Sequence, residues 1–71
     1  MADTLYIMHA VDEWEGYKYI YGAYSSKEKA IAHLMDNHDD LEYDERVNLW
    51  RHKDSQNTQY FYIEEVAVRG N

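Results

Sequence analysis

Hydrophobic and polar residues alternate from Thr4 to Val11 (TLYIMHAV), placing Leu5, Ile7, His9 and Val11 on one face and Tyr6, Met8 and Ala10 on the other. That two-residue period predicts a β-strand. The polar segment Asp12–Gly16 (DEWEG) ends in glycine and suits a hairpin connection. Alternation resumes over Tyr17–Tyr24 (YKYIYGAY), with Tyr17, Tyr19, Tyr21 and Ala23 on one side and Lys18, Ile20, Gly22 and Tyr24 on the other. Two neighbouring strands with a short acidic link predict an antiparallel hairpin, and Tyr17, Tyr19 and Tyr21 form a row along it.

The period then changes. Ser25-Ser26-Lys27-Glu28 has the form of a capping box, in which the Ser25 hydroxyl accepts from an early helical N–H and Glu28 reaches back to the Ser25 N–H. Ala30, Ile31, Leu34 and Met35 follow at helical spacing and Asn37 is a suitable stop, so a helix is expected over Ser26–Asn37. From Asp36 to Glu45 the chain carries Asp36, Asp39, Asp40, Glu42, Asp44 and Glu45 with no Lys or Arg, the pattern of a solvated loop or helix edge.

Val47–Lys53 (VNLWRHK) fits two readings. Val47, Leu49 and Arg51 alternate like a strand, while Val47 and Trp50 fit a helical turn continuing from Leu41. Asp54-Ser55-Gln56-Asn57 is turn chemistry, and Thr58–Val68 (TQYFYIEEVAV) is the most strand-like stretch of all, so a second hairpin is expected. Within that last stretch the pair Phe61 and Ile63 is out of phase with the pair Val66 and Val68, which predicts a β-bulge at Glu64-Glu65. The pattern describes an α+β domain over 1–71. It has an antiparallel sheet of three or four strands with one helix packed on one face, in the order β-β-α-β-β or β-β-α-β.

Composition changes this picture in two ways. Leu, Ile, Val and Phe together number only 13 of 71 residues and the net charge is −7, values that border on disorder. Eight Tyr, two Trp and one Phe answer that deficit, because each ring buries about 150–250 Å². The expectation is a folded domain whose core and surface both rely on tyrosine. No run approaches the about 18 apolar residues of a membrane span, and the opening Met1–Ala2–Asp3 is unlike a signal peptide, so a soluble cytoplasmic domain is expected.

Candidate chemistry is sparse. Without cysteine there is no disulfide framework, thiolate metal site or Cys nucleophile. His33 and His38 are five residues apart, about 140° around a helix, whereas a shared face needs a spacing of three or four. The four histidines are therefore read as exposed polar residues, with no metal or cofactor expected. Asp40, Glu42 and Asp44 have the first spacings of a calcium loop, but Glu45 stands where glycine is required and Arg51 where a bidentate Glu is required. Gly16, Gly22 and Gly70 are isolated, Ser25 and Ser26 serve as caps, and no catalytic residues are assigned, so a non-enzyme is expected.

What remains is contact. The Tyr17, Tyr19, Tyr21 row suits stacking on bases, using Lys18, Arg46, Arg51 and Lys53 as a basic patch, but 14 acids against 7 bases oppose a phosphate backbone. The same row suits a protein interface, and it also suits a plain sheet surface stabilised by cross-strand rings. If the helix covers Ile20 and Tyr24, the tyrosine row is left on the open face and a homodimer becomes a means of covering it.

Three segments carry a resemblance: the opening LYIMHAV strand, Gly22–Ala30 (GAYSSKEKA) leading into the helix, and the closing Tyr62–Val68 (YIEEVAV). Together they resemble a loose group of short, mostly uncharacterised bacteriophage and bacterial proteins. The resemblance implies a phage or mobile-element accessory protein, of a kind that binds and blocks host nucleic-acid enzymes or defence systems, and it assigns no residue a role. Combined with the charge, the expectation is a non-enzymatic inhibitor. It would engage a protein partner with a basic surface through Asp36, Asp39, Asp40, Glu42, Asp44, Glu45, Tyr17, Tyr19 and Tyr21. A single-strand nucleic-acid binder and an assembly subunit are the alternatives.

Overall fold

The computed structural model describes residues 3–54 and 56–68. Met1, Ala2, Ser55 of the expected turn and Gly70 lie outside the described residues. Strand β1 (Asp3–Asp12) and strand β2 (Tyr17–Tyr24) form the expected hairpin, followed by helix α1 (Lys27–Asn37). Then come β3 (Leu41–Asp44), β4 (Leu49–His52) and β5 (Gln59–Val68). The strands make one antiparallel five-stranded sheet in the order β2-β1-β5-β4-β3, with α1 on one face. The chain is a single α+β domain of the expected kind with one strand more than expected.

The extra strand is β3, in the acidic run read as solvated. Leu41, 7% exposed, supplies the anchor, and Glu42 and Tyr43 pair with Arg51 and Trp50 of β4. Cross-strand pairing of this kind organises a segment that its own composition leaves undecided. It also resolves the ambiguity of Val47–Lys53: Leu49–His52 is strand, with Trp50 facing Phe61 of β5 and Tyr43 of β3, and Val47 and Asn48 belong to the turn before it. The β3–β4 turn closes through Asn48, whose φ of 55° lies in the left-handed region and whose side-chain oxygen accepts from the Tyr43 hydroxyl at 2.8 Å.

The core lies between α1 and the sheet. Met8, Ala10, Ala30, Leu34 and Phe61 are fully buried, with Leu41 and Trp50 beside them. Alternation then assigns the rest: residues in step with Met8 and Ala10 face the helix, and those in step with His9 face away.

Two register expectations change. The β1–β5 ladder runs unbroken from Asp3↔Val68 to Asp12↔Gln59, so no bulge stands at Glu64-Glu65. Phe61 and Ile63 face the helix whereas Val66 and Val68 face the other side, and their phase difference records two apolar faces. The irregularity is in β2. Met8 pairs with Gly22 and His9 with Ile20, leaving Tyr21 as the extra residue of a bulge. That bulge puts Tyr17, Tyr19, Tyr21 and Tyr24 all on the helix side, while Ile20 faces away and is 62% exposed. The expectation that the tyrosine row would lie opposite the helix is thereby reversed.

The helix start also moves by one residue. Ser26 is the N-cap, its hydroxyl accepting from the Lys29 N–H at 3.1 Å, while the Ser25 hydroxyl accepts from Lys29 Nζ. Tyr24 still pairs with Tyr6, so the chain uses both serines to leave the sheet before turning into α1. With the cap at Ser26 the third helical residue is Lys29, and the reciprocal contact of a capping box does not form.

Candidate functional site

The β1–β2 turn is built around Asp12. Its Oδ1 accepts from the Trp14 and Glu15 backbone N–H groups at 3.0 Å each and from the Thr58 hydroxyl at 2.7 Å. Its carbonyl accepts from Gly16 N–H at 2.8 Å, and Gly16, at φ 74°, takes the left-handed conformation that closes the turn. These bonds, the Glu15 N–H first and Thr58 next, hold the Asp12 carboxyl below its usual range. The result is a braced turn that presents Trp14 at 84% exposure. Its indole lines an open groove with Asp12, Glu15, Asp54 and Thr58, the last two from the β4–β5 connection.

Beside this turn, Tyr17 and Tyr19 are each nearly half exposed, with ring centroids 5.9 Å apart. The Tyr19 hydroxyl accepts from Gln59 Nε2 at 3.3 Å, which ties the row to β5. Tyr21 is different. It packs into the core edge against Phe61, His33 and His38, so it supports the row without being offered to a partner.

The acidic run is divided by the fold. Asp36 stands in the last helical turn and Asp39 in the segment after it; both are exposed, and they flank the Asn37–His38 corner that packs on Tyr21. Asp40 is engaged by His52, whose Nδ1 lies 3.0 Å from both carboxylate oxygens, and this contact holds the Asp40 carboxyl below its usual range. Asp44 is lowered likewise, chiefly by the Arg46 side chain, with Arg51 also near. Glu42 pairs across β3–β4 with Arg51 on the face away from the helix, and Glu45 sits in the turn at the far end of β3. Thus Asp36 and Asp39 flank the corner that packs on Tyr21, Asp40 and Asp44 are engaged by other side chains, and Glu42 and Glu45 lie on β3 and its turn.

His33 is exposed as expected, but the other histidines are less exposed than their sequence context suggests. His9 is 7% exposed, stacks on Tyr62 at 4.7 Å and places Nε2 2.8 Å from Glu64. The His52 side chain is 5% exposed and lies against His38 and Phe61. Neighbouring rings bury them, a tertiary effect with no periodic signal. Among the described residues no group of three His, Asp or Glu side chains is placed to hold a metal ion, and no helix is long and apolar enough to cross a membrane.

The fold adds Trp14, Glu13 and Glu15 to the candidate surface. The available signal was an indole in an otherwise polar turn, where burial cannot explain it. Of the cations read as a basic patch, Lys18 lies over the Tyr62 ring and Arg51 pairs with Tyr60, both on the face opposite the row, while Lys53 lines a groove with Glu13 and Asp54. The chain matches no family, no curated protein and no solved structure.

Proposed function

We propose that the protein is a non-enzymatic binding module, a phage or mobile-element accessory protein that engages and blocks a host nucleic-acid-handling or defence protein. The contact is made with a basic surface of that partner. The observation that carries this reading is the braced turn that holds Trp14 almost fully exposed among Asp12, Glu13 and Glu15, next to Tyr17 and Tyr19. An exposed indole on a rigid turn is an anchor that loses little entropy on binding, and a guanidinium from the partner fits both its face and the flanking carboxylates. Asp36 and Asp39 extend the negative field along the helix end and steer encounter with a basic groove. A nucleic acid in that position would meet carboxylates where it needs cations.

Affinity capture of the partner from host lysate, repeated with added duplex DNA, tests the reading. The expected result is a basic protein that DNA displaces and that Trp14→Ala fails to capture. Reversing Glu13, Glu15, Asp36 and Asp39 to Lys should slow association and weaken its salt dependence, while Tyr19→Ser should chiefly speed dissociation. Retention of DNA itself by the wild-type protein, or capture unaffected by Trp14→Ala, would overturn it.

A further inference from the structure

Among the described residues no element covers the sheet face away from α1, yet Leu5, Ile7, Ile20, Tyr62, Val66 and Val68 lie on it. Ile20 is 62% exposed there, and Leu5 and Val68 are each 38% exposed. We infer that this face is the homodimer interface, two copies packing their open sheets face to face as a β-sandwich, on the side opposite the Trp14–Tyr19 surface.

Area is the first argument for a second copy. β1 and β5 have ten residues each, β2 eight, and β3 and β4 four each. At about 3.3 Å per residue and about 4.8 Å between strands, the flat footprint of the whole sheet is about 570 Å² per copy, and full overlap of two sheets gives about 1,100 Å² for the pair. Side-chain relief raises that figure further, and a specific interface needs about 1,000 Å² in total. Two twisted sheets pack in this way about 10 Å apart with their strands nearly aligned.

Charge is the second argument. The chain carries −7, yet among the described side chains this face bears Lys18 and Arg51 against Glu42, Asp44 and Glu64. The basic partner proposed above is drawn to the acidic side; a nearly neutral face with both signs complements itself under two-fold symmetry. The middle of the face is also already formed. Tyr62 is held between the His9 ring at 4.7 Å and Lys18 Nζ at 5.4 Å, so docking need not order it.

Sedimentation equilibrium of the full chain, from sub-micromolar to tens of micromolar, tests the proposal. The expected result is a twofold rise in mass that Ile20→Asp abolishes and Trp14→Ala leaves intact. Ala23→Lys, exposed on the same face of the edge strand β2, should abolish it too, and it decides the matter if Ile20→Asp perturbs the fold by circular dichroism. Added salt should change the dimer little, because the face is nearly neutral, whereas it should weaken capture of the basic partner. The two proposals therefore fail separately. A wild-type chain that stays monomeric across the range in high salt, or a dimer that survives both open-face variants, would overturn the inference.

Discussion

The Tyr24 hydroxyl and His33 Nδ1 share a hydrogen bond that joins β2 to α1, and the Tyr24 ring reaches it by lying across Gly22. A Cβ at Gly22 would come within 2.7 Å of the ring's Cζ, so any larger residue displaces Tyr24. Gly22→Ala should therefore destabilise the domain by about 1 kcal/mol, the scale of one intramolecular hydrogen bond. In a Tyr24→Ala background the same change should be neutral or stabilising, because the obstruction is gone and alanine restricts the unfolded chain. Urea denaturation of the four proteins of this cycle checks both statements.

The cap position ranks the two serines. Ser26→Ala removes the acceptor for the Lys29 N–H and should cost about 0.5–2 kcal/mol of stability. Ser25→Ala removes only an exposed contact with the Lys29 ammonium and should cost less. The reverse ranking in chemical denaturation would place the cap one residue earlier.

Asp36 opposes the stability of its own helix. It stands in the last turn of α1, where the backbone carbonyls present negative charge and no basic residue answers them. Asp36→Lys should stabilise the domain by about 0.3–1 kcal/mol while slowing association with a basic partner. Thermal melts and stopped-flow association on the same variant read the two effects separately.

Acid should weaken the fold through Asp12, Asp40 and Asp44. All three carboxyls are held below their usual value of 3.8, by the Glu15 N–H, the His52 ring and the Arg46 side chain respectively. A lowered folded-state pKa adds stability that is present above the unfolded value and is lost as pH falls through the folded one. The midpoint of thermal unfolding should thus hold steady above pH 3.8 on this account and fall below it. Asp12→Asn keeps the acceptor oxygen of the turn and removes its titration, so its melts should show a shallower acid decline.

Local chemistry along the chain determined the β1–β2 hairpin, the single helix and the strand character of β5. Each rests on interactions between near neighbours: alternation along eight to ten residues, the Ala30–Leu34 stripe and a serine at the helix start. The choice of Ser26 over Ser25 needed the Tyr6↔Tyr24 pairing, which is remote in sequence. Likewise β3 exists because Trp50 and Arg51 lie beside it, and an acidic four-residue stretch shows no such partner by itself. The side taken by the tyrosine row depended on the Tyr21 bulge, since one unpaired residue reverses every face assignment beyond it. Sequence identified tyrosines and carboxylates as the material of a contact surface. Packing then partly buried Tyr21, engaged Asp40 with His52 and Asp44 with Arg46, and left Trp14, Tyr17 and Tyr19 in solvent, because burial is settled by what the distant strands and helix place over each side chain.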